Sequence, residues 1–137
     1  MTGPDITESL RQQLEYYRAR AGEYDQWWLR QGRYDRGAQA NARWFSEAQE
    51  VSSQLAAFRP TGDVLELACG TGIWTEKLLP FASTLTTVDG SPEMLTINAA
   101  RNGAAAVRYI QADLFQWSPD QKYDCVFFGF WLSHVPP

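Results

Sequence analysis

The strongest structural signal in this 137-residue chain is the stretch Val64-Leu65-Glu66-Leu67-Ala68-Cys69-Gly70-Thr71-Gly72. Its apolar beginning is typical of a buried strand, and the glycines that follow indicate a tight turn into a helix. Glycines in such a turn let the backbone approach a ligand closely, and the first N–H groups of the helix have no partner within it. We therefore expect a ligand at the carboxyl end of this strand.

The sequence around this stretch divides into a helical region, residues 1–60, and a region of alternating strands and helices, residues 61–137. In the first region, apolar residues at helical spacing predict a helix over 6–21, ended by Gly22, and a second one from Trp44 to Phe58. In the residues between these two helices, apolar side chains recur at no clear interval. In the second region the pattern predicts strands over 63–68, 84–89, 106–112 and 122–130 and helices over 72–82 and 91–102.

Strands that alternate with helices indicate a parallel sheet covered on both faces, with the first three strands in the spatial order 3-2-1. Ser91-Pro92 is a strong helix start, because serine caps the helix and proline at the first helical position needs no N–H. Gly103 is well placed to end the same helix.

Composition excludes several classes of function. There are 12 Lys and Arg against 16 Asp and Glu, a formal net charge of −4, which argues against nucleic acid as the main partner. Cys69, Cys125 and His134 are the only cysteines and histidine, so a disulfide scaffold or a Cys/His zinc site is excluded. No apolar run approaches the ~20 residues that span a bilayer. We expect no metal, no membrane partner and a reducing, cytoplasmic setting.

The glycine spacing distinguishes between two kinds of ligand. A dinucleotide fingerprint Gly-x-Gly-x-x-Gly would need glycines where Ala68 and Ile73 stand, which disfavours a nicotinamide-dependent oxidoreductase. The pattern acidic-x-Gly-x-Gly-x-Gly fits better, with Glu66, Ala68, Gly70 and Gly72 at its four positions and only the first glycine replaced.

Two further carboxylates fall at predicted strand ends. Asp89 closes the second strand, where a carboxylate accepts hydrogen bonds from ribose hydroxyls, although it could instead cap the next helix. Asp113 ends the third strand and could accept from the exocyclic amine of an adenine, while Leu114 offers a backbone N–H; the alternative is that Asp113 begins a turn.

The stretches 66–72, Val88-Asp89, Ala112-Asp113 and Tyr123-Asp124-Cys125-Val126 together resemble, in order and spacing, the motifs of class I S-adenosylmethionine-dependent methyltransferases. The resemblance implies a Rossmann-like α/β sheet of order 3-2-1-4 under an N-terminal helical cap. It implies S-adenosyl-L-methionine as cofactor and S-adenosyl-L-homocysteine as product. The cofactor-binding residues it implies are Glu66, Ala68, Cys69, Gly70, Thr71, Gly72, Asp89, Gly90, Asp113, Leu114 and Phe130, with Tyr17 and Tyr24 from the cap.

Methyl transfer is an in-line displacement, so aligning the two reactants does much of the work. Aromatic faces such as that of Trp74 can hold the sulfonium cation. If the acceptor needs a base, His134 is the candidate by residue type, although a lone histidine beside apolar residues is more often structural. Cys69 contributes backbone and small size, because no base adjoins it in the sequence.

The favoured function is methyl transfer to a small-molecule acceptor. The alternative is a non-catalytic cofactor-binding or interaction module derived from a shortened methyltransferase. Three strands of the family's seven follow the segment 123–130, and the sequence ends before them. We therefore expect either a shortened product or a homo-oligomer that pairs through the exposed edge of strand four.

Overall fold

The computed structural model describes residues 6–129, of which residues 6, 7, 9, 10, 13, 14, 17 and 18 are described by their backbone alone. The chain begins with helices and continues as a parallel sheet with helical connections. The α-helices are α1 (Ile6–Leu29), α2 (Ala38–Phe58), α3 (Ile73–Leu78) and α4 (Pro92–Asn102), and a short 3-10 helix spans Gly32–Tyr34. The strands are β1 (Gly62–Leu67), β2 (Ala82–Asp89), β3 (Arg108–Gln111) and β4 (Cys125–Phe127).

The four strands form one parallel sheet in the order β3-β2-β1-β4, which confirms the predicted Rossmann-like α/β fold. Val64 of the central strand β1 lies opposite Leu85 of β2 and Cys125 of β4. Val64, Leu85 and Leu78 of α3 are buried together in the core. The strands are parallel, so their carboxyl ends share one edge of the sheet. Since β1 lies in the middle, the glycine turn that follows it, residues 68–72, lies at the centre of this edge.

The beginning and end of α4 follow the predicted pattern. The Ser91 hydroxyl accepts a hydrogen bond from the backbone N–H of Met94 at 3.3 Å, and Pro92 occupies the first turn. Gly103 follows the last helical residue with φ of +86°. The cap therefore fixes where the chain turns from β2 into α4.

The predicted end of the first helix and the predicted start of the second are wrong, whereas the second helix ends at Phe58 as predicted. Gly22 lies inside α1, which continues to Leu29 and ends at Arg30 with φ of +55°. The helix continues because Trp28 packs against Trp44 of α2, at 5.9 Å between ring centroids, and this contact outweighs the weak helix propensity of glycine.

The second helix begins at Ala38, before the predicted start at Trp44. Side-chain hydrogen bonds hold the turn before this helix, and the spacing of apolar residues in the sequence gives no sign of them. Asp35 accepts hydrogen bonds from the backbone N–H of Gly37 at 2.9 Å and from the Asn41 amide at 2.8 Å. The predicted strand over 122–130 was also too long, because β4 has only three residues.

A row of aromatic rings joins the N-terminal helices to the sheet. Trp44 of α2 contacts Trp28 of α1, Trp28 contacts Trp74 of α3 at 5.4 Å, and Trp74 contacts Phe127 of β4 at 5.7 Å between ring centroids. The row runs from α2 to β4 and fixes the two N-terminal helices against the rest of the described chain. None of the helices in residues 6–129 is long and apolar enough to cross a membrane.

Candidate functional site

The turn after β1 contains three residues in the left-handed region, with φ of +54° at Ala68, +53° at Gly70 and +95° at Gly72. A Cβ at Gly72 would overlap the side chains of Asn98 and Asn102 of α4, whereas a Cβ at Gly70 would meet nothing within 4 Å. Gly72 therefore packs the turn against α4, and Gly70 leaves its other side open. Ala68 adopts a conformation that costs a residue with a Cβ about 1 kcal/mol.

Two adjoining cavities meet at this turn. The larger has a volume of about 730 Å³ and lies between α1 and the turn; the smaller, of about 550 Å³, lies along the carboxyl ends of β2 and β3. Both are lined by Arg20, Ala68, Gly70 and Met94. The sequence-predicted residues Glu66, Cys69 and Thr71 line the larger cavity, and Asp89, Gly90, Asp113 and Leu114 line the smaller one.

Asp89 connects the end of β2 to both neighbouring turns. One carboxylate oxygen accepts a hydrogen bond from the backbone N–H of Gly70 at 3.0 Å, and the other accepts from the N–H of Ser91 at 2.9 Å. The carboxylate thus holds the glycine turn in place while it lines the smaller cavity. Since each oxygen has two lone pairs, these bonds leave capacity to accept from a ligand's hydroxyl groups.

Asp113 begins a turn, which is one of the two roles that the sequence suggested for it. Its carboxylate accepts from the N–H of Phe115 at 3.0 Å, and its carbonyl accepts from the N–H groups of Gln116 and Trp117. The turn does not remove it from the candidate site, because Asp113 and Leu114 both line the smaller cavity.

Glu66 is a buried carboxyl at the base of the larger cavity. Its side chain accepts a hydrogen bond of 2.5 Å from the Thr75 hydroxyl, and the residue is only 2% exposed. Burial is the main cause that raises the pKa of Glu66 to about 8; the Thr75 hydrogen bond opposes this shift, and the charge of Asp89 adds to it. The site therefore holds a carboxyl that is poised to ionise when a positive charge approaches.

Tyr24 and Cys69 keep their protons at neutral pH. Burial, followed by the charges of Asp25 and Glu66, raises the pKa of Tyr24 to about 12. Burial is also the main reason that the pKa of the Cys69 thiol lies above its usual range. Tyr24 thus lines the cavity as a neutral phenol, and Cys69 is not a thiolate nucleophile.

Three of the predicted site residues fall where the structure gives no side-chain position. Tyr17 belongs to α1, but its side chain is outside the described part of the chain; Phe130 and His134 lie outside the described residues altogether. Within residues 6–129 no cluster of acidic, cysteine or histidine side chains could hold a metal ion.

Several lining residues are absent from the predicted site, because the interpretation gave Arg20 no role and ended the first helix at Gly22. Arg20, Glu23 and Trp27 extend from α1 into the wall of the larger cavity, and Tyr34 follows from the 3-10 helix. Tyr16, Arg20, Tyr24 and Trp27 recur at intervals of three and four, which is the signal that could have revealed this helix face.

Comparisons with known proteins find a matching family, similar folds and similar sequences. A family model described as "Methyltransferase domain" matches residues 64–137. The solved structure "DhpI-SAH complex structure" is similar with a TM-score of 0.71 and 44% identity, over 90% of this chain and 54% of that chain. The structure "DhpI-SAM-HEP complex" is similar with a TM-score of 0.68 and 42% identity, over 99% of this chain and 56% of that one.

Among curated proteins, trans-aconitate 2-methyltransferase of Enterobacter sp. (strain 638) is 37% identical over 92 residues, which cover 65% of this chain and 35% of that protein. The chain thus spans a little over half of the DhpI chains and about a third of the trans-aconitate enzyme.

Proposed function

Because this chain belongs to the class I S-adenosylmethionine-dependent methyltransferases, we propose that it binds S-adenosyl-L-methionine and serves methyl transfer to a small-molecule acceptor. One observation carries the proposal. The open side of Gly70 faces two adjoining cavities, one with the buried Glu66 at its base and the other lined by Asp89. This division suits a ligand with an amino-acid end and a nucleoside end.

The residues present fit the family's cofactor. Its amino-acid end carries an ammonium and a carboxylate, for which the larger cavity offers Glu66 and the guanidinium of Arg20. Its ribose hydroxyls are donors, for which Asp89 is the acceptor, and its adenine suits Asp113 and Leu114 in the smaller cavity. Arg20 lines both cavities, so its position suits the carboxylate of a ligand that spans them.

When bound, S-adenosyl-L-methionine supplies a methyl group on a positively charged sulfur. The chain's own residues hold the reactants and exclude water. Trp27, Trp74 and Tyr24 form aromatic walls of the larger cavity, and the faces of such rings attract a cation. Tyr24, with a pKa of about 12, remains a hydrogen-bond donor throughout the neutral range and is not a base.

The acceptor is proposed to be a small molecule that enters beside α1. In support, one relative is named for trans-aconitate, a small molecule, and the larger cavity is also lined by Tyr16, Glu23 and Tyr34, which are not assigned to the cofactor. We propose residues 1–60 as the cap and residues 61–137 as the cofactor-binding core. A general-base role for His134 remains a prediction.

Calorimetry with S-adenosyl-L-homocysteine tests the proposal. The chain is expected to bind it, and Asp89→Asn, which removes a charge at the smaller cavity, is expected to weaken binding about tenfold. Asp120→Asn is the matched control, since Asp120 pairs with Arg108 at the surface away from both cavities. No binding by the native chain refutes the proposal. Binding without transfer of labelled methyl to trans-aconitate or other small acids favours the non-catalytic alternative.

A further inference from the structure

Three side chains from separate parts of the fold meet beside the glycine turn. Arg101, in the last turn of α4, donates to a carboxylate oxygen of Asp25 in α1 at 2.9 Å and to the carbonyl of Thr71 at 3.1 Å. The Thr71 hydroxyl donates to the other oxygen of Asp25 at 2.9 Å. The three residues therefore form a closed ring of hydrogen bonds, and Asp25 is 46 residues from Thr71 and 76 from Arg101 along the chain.

This ring is better shielded than the other ion pairs of the described chain. The side chains of Asp25 and Arg101 are 27% and 29% exposed, and Thr71 is 1% exposed. The Arg108–Asp120 pair, by comparison, is more than half exposed on both sides. Charge-assisted bonds that are partly withdrawn from water hold their partners more firmly than exposed pairs do.

The ring is attached to both walls of the larger cavity. Thr71 stands between Gly70 and Gly72, two glycines in the left-handed region, and its hydroxyl joins this turn to α1. Asp25 directly follows Tyr24, which lines the cavity from the side of α1. The same three side chains therefore connect the turn directly to the helix that faces it.

We propose that Asp25, Thr71 and Arg101 form a latch that holds α1 against the glycine turn and thereby controls how long the cofactor stays bound. The proposal rests on the proposed function for its ligand. A ligand that lies between α1 and the turn is expected to leave faster when α1 moves away from the turn, and that movement breaks the latch. Asp25 and Arg101 line neither cavity, so they are positioning residues that act through Tyr24 and the turn.

The test compares Asp25→Asn, Arg101→Gln, the double variant and Arg101→Lys with the native chain, and Arg108→Gln is the control for loss of an exposed arginine. The measured quantities are the dissociation constant and the dissociation rate of S-adenosyl-L-homocysteine. Each single variant is expected to dissociate about tenfold faster, with a small change in the association rate.

The pattern among the variants separates a latch from general destabilisation. The double variant is expected to match the singles, because either change opens the same ring. Arg101→Lys is expected to be intermediate, since an ammonium keeps the charge toward Asp25 but lacks the planar fork that also reaches Thr71. Native dissociation rates in both single variants, or effects that add in the double variant, overturn the proposal.

Amide hydrogen exchange without ligand gives a second readout that does not depend on cofactor binding. Opening the latch is expected to accelerate exchange together in the second half of α1 and in residues 70–72, and to leave β3 unchanged. If the native chain binds no S-adenosyl-L-homocysteine, the proposed function fails. The exchange rates of the variants still show whether the three residues hold α1 against the turn. Exchange that stays native in either segment contradicts the latch.

Discussion

Replacing Glu66 with glutamine is expected to change how the stability of the fold depends on pH. Glu66 is 2% exposed, accepts a hydrogen bond from Thr75 and lies near the charge of Asp89. Burial is the main reason that its pKa is raised to about 8. Glutamine keeps nearly the same volume and still offers an oxygen to the Thr75 hydroxyl, so the substitution removes the titration with little change in packing.

The direction of the effect follows from proton counting. Between the ordinary pKa of 4.5 and about 8, the folded protein retains a proton on Glu66 that the unfolded chain has released. Raising the pH through this window therefore favours the unfolded state. The free energy of unfolding falls by up to about 1.4 kcal/mol per pH unit on account of this single group.

Urea unfolding at pH 5.5, 6.5 and 7.5 measures the effect. The stability of Glu66→Gln relative to the native chain is expected to rise with pH, by up to about 1.4 kcal/mol per unit. Glu76→Gln, at an exposed position on α3, is the control for loss of a carboxyl. Its free energy of unfolding should change with pH in parallel with that of the native chain. Parallel pH profiles for the native chain and Glu66→Gln would refute the reasoning.

The proposed function adds a second measurement on the same variant. An ammonium that approaches Glu66 lowers the pKa of this carboxyl, so binding of S-adenosyl-L-homocysteine near pH 7 is expected to release a proton. Calorimetry in buffers of different ionisation enthalpy detects this release. Equal proton release by the native chain and Glu66→Gln would show that the ammonium is bound elsewhere.

Three further substitutions test separate details of the fold. In Gly129→Ala the new Cβ would lie 2.9 Å from the Trp74 ring, so the free energy of unfolding is expected to fall by about 1–3 kcal/mol and cofactor binding to weaken. Unchanged results in urea unfolding and calorimetry would contradict this. Gly22→Ala meets nothing within 4 Å and is expected to stabilise α1 by about 0.5–1 kcal/mol, so a lower melting temperature would speak against the continuous helix. Ala68→Gly relieves the strain of the left-handed backbone, and part of this gain is offset by the larger entropy of glycine in the unfolded chain. The free energy of unfolding in urea is therefore expected to rise by about 0.5 kcal/mol, and a lower value would argue against strain at this position.

The sheet could be predicted from the sequence because its signals are local. Each predicted strand contains β-branched or aromatic residues. The start and end of α4 depend on Ser91, Pro92 and Gly103, whose effects on the backbone are the same in most proteins. The strand order then follows from the handedness of the connections and from the family resemblance. The clustering of Glu66, Asp89 and Asp113 at one edge is a geometric consequence of that order.

The rest of the site depends on contacts between residues far apart in sequence. Gly22 is a helix terminator by propensity, yet the packing of Trp28 on Trp44 keeps the helix intact, and no local pattern reports the strength of that packing. The bond between Asp25 and Arg101 spans 76 residues, so neither residue stands out from an ordinary surface charge in the sequence. Apart from Tyr17 and Tyr24, the wall formed by α1 was therefore missed, while the turn opposite was found.

The row of aromatic rings gives the molecule an optical signature. Trp44, Trp28 and Trp74 are neighbours at 5.9 and 5.4 Å between ring centroids, with interplanar angles of 78° and 67°. Indoles this close and this strongly inclined couple their electronic transitions, so the folded chain should show a paired positive and negative band in its circular dichroism. Trp28 belongs to α1 and Trp74 to α3, so the part of the signal that is lost in Trp74→Phe reports, without any label, whether the N-terminal helices are packed on the sheet.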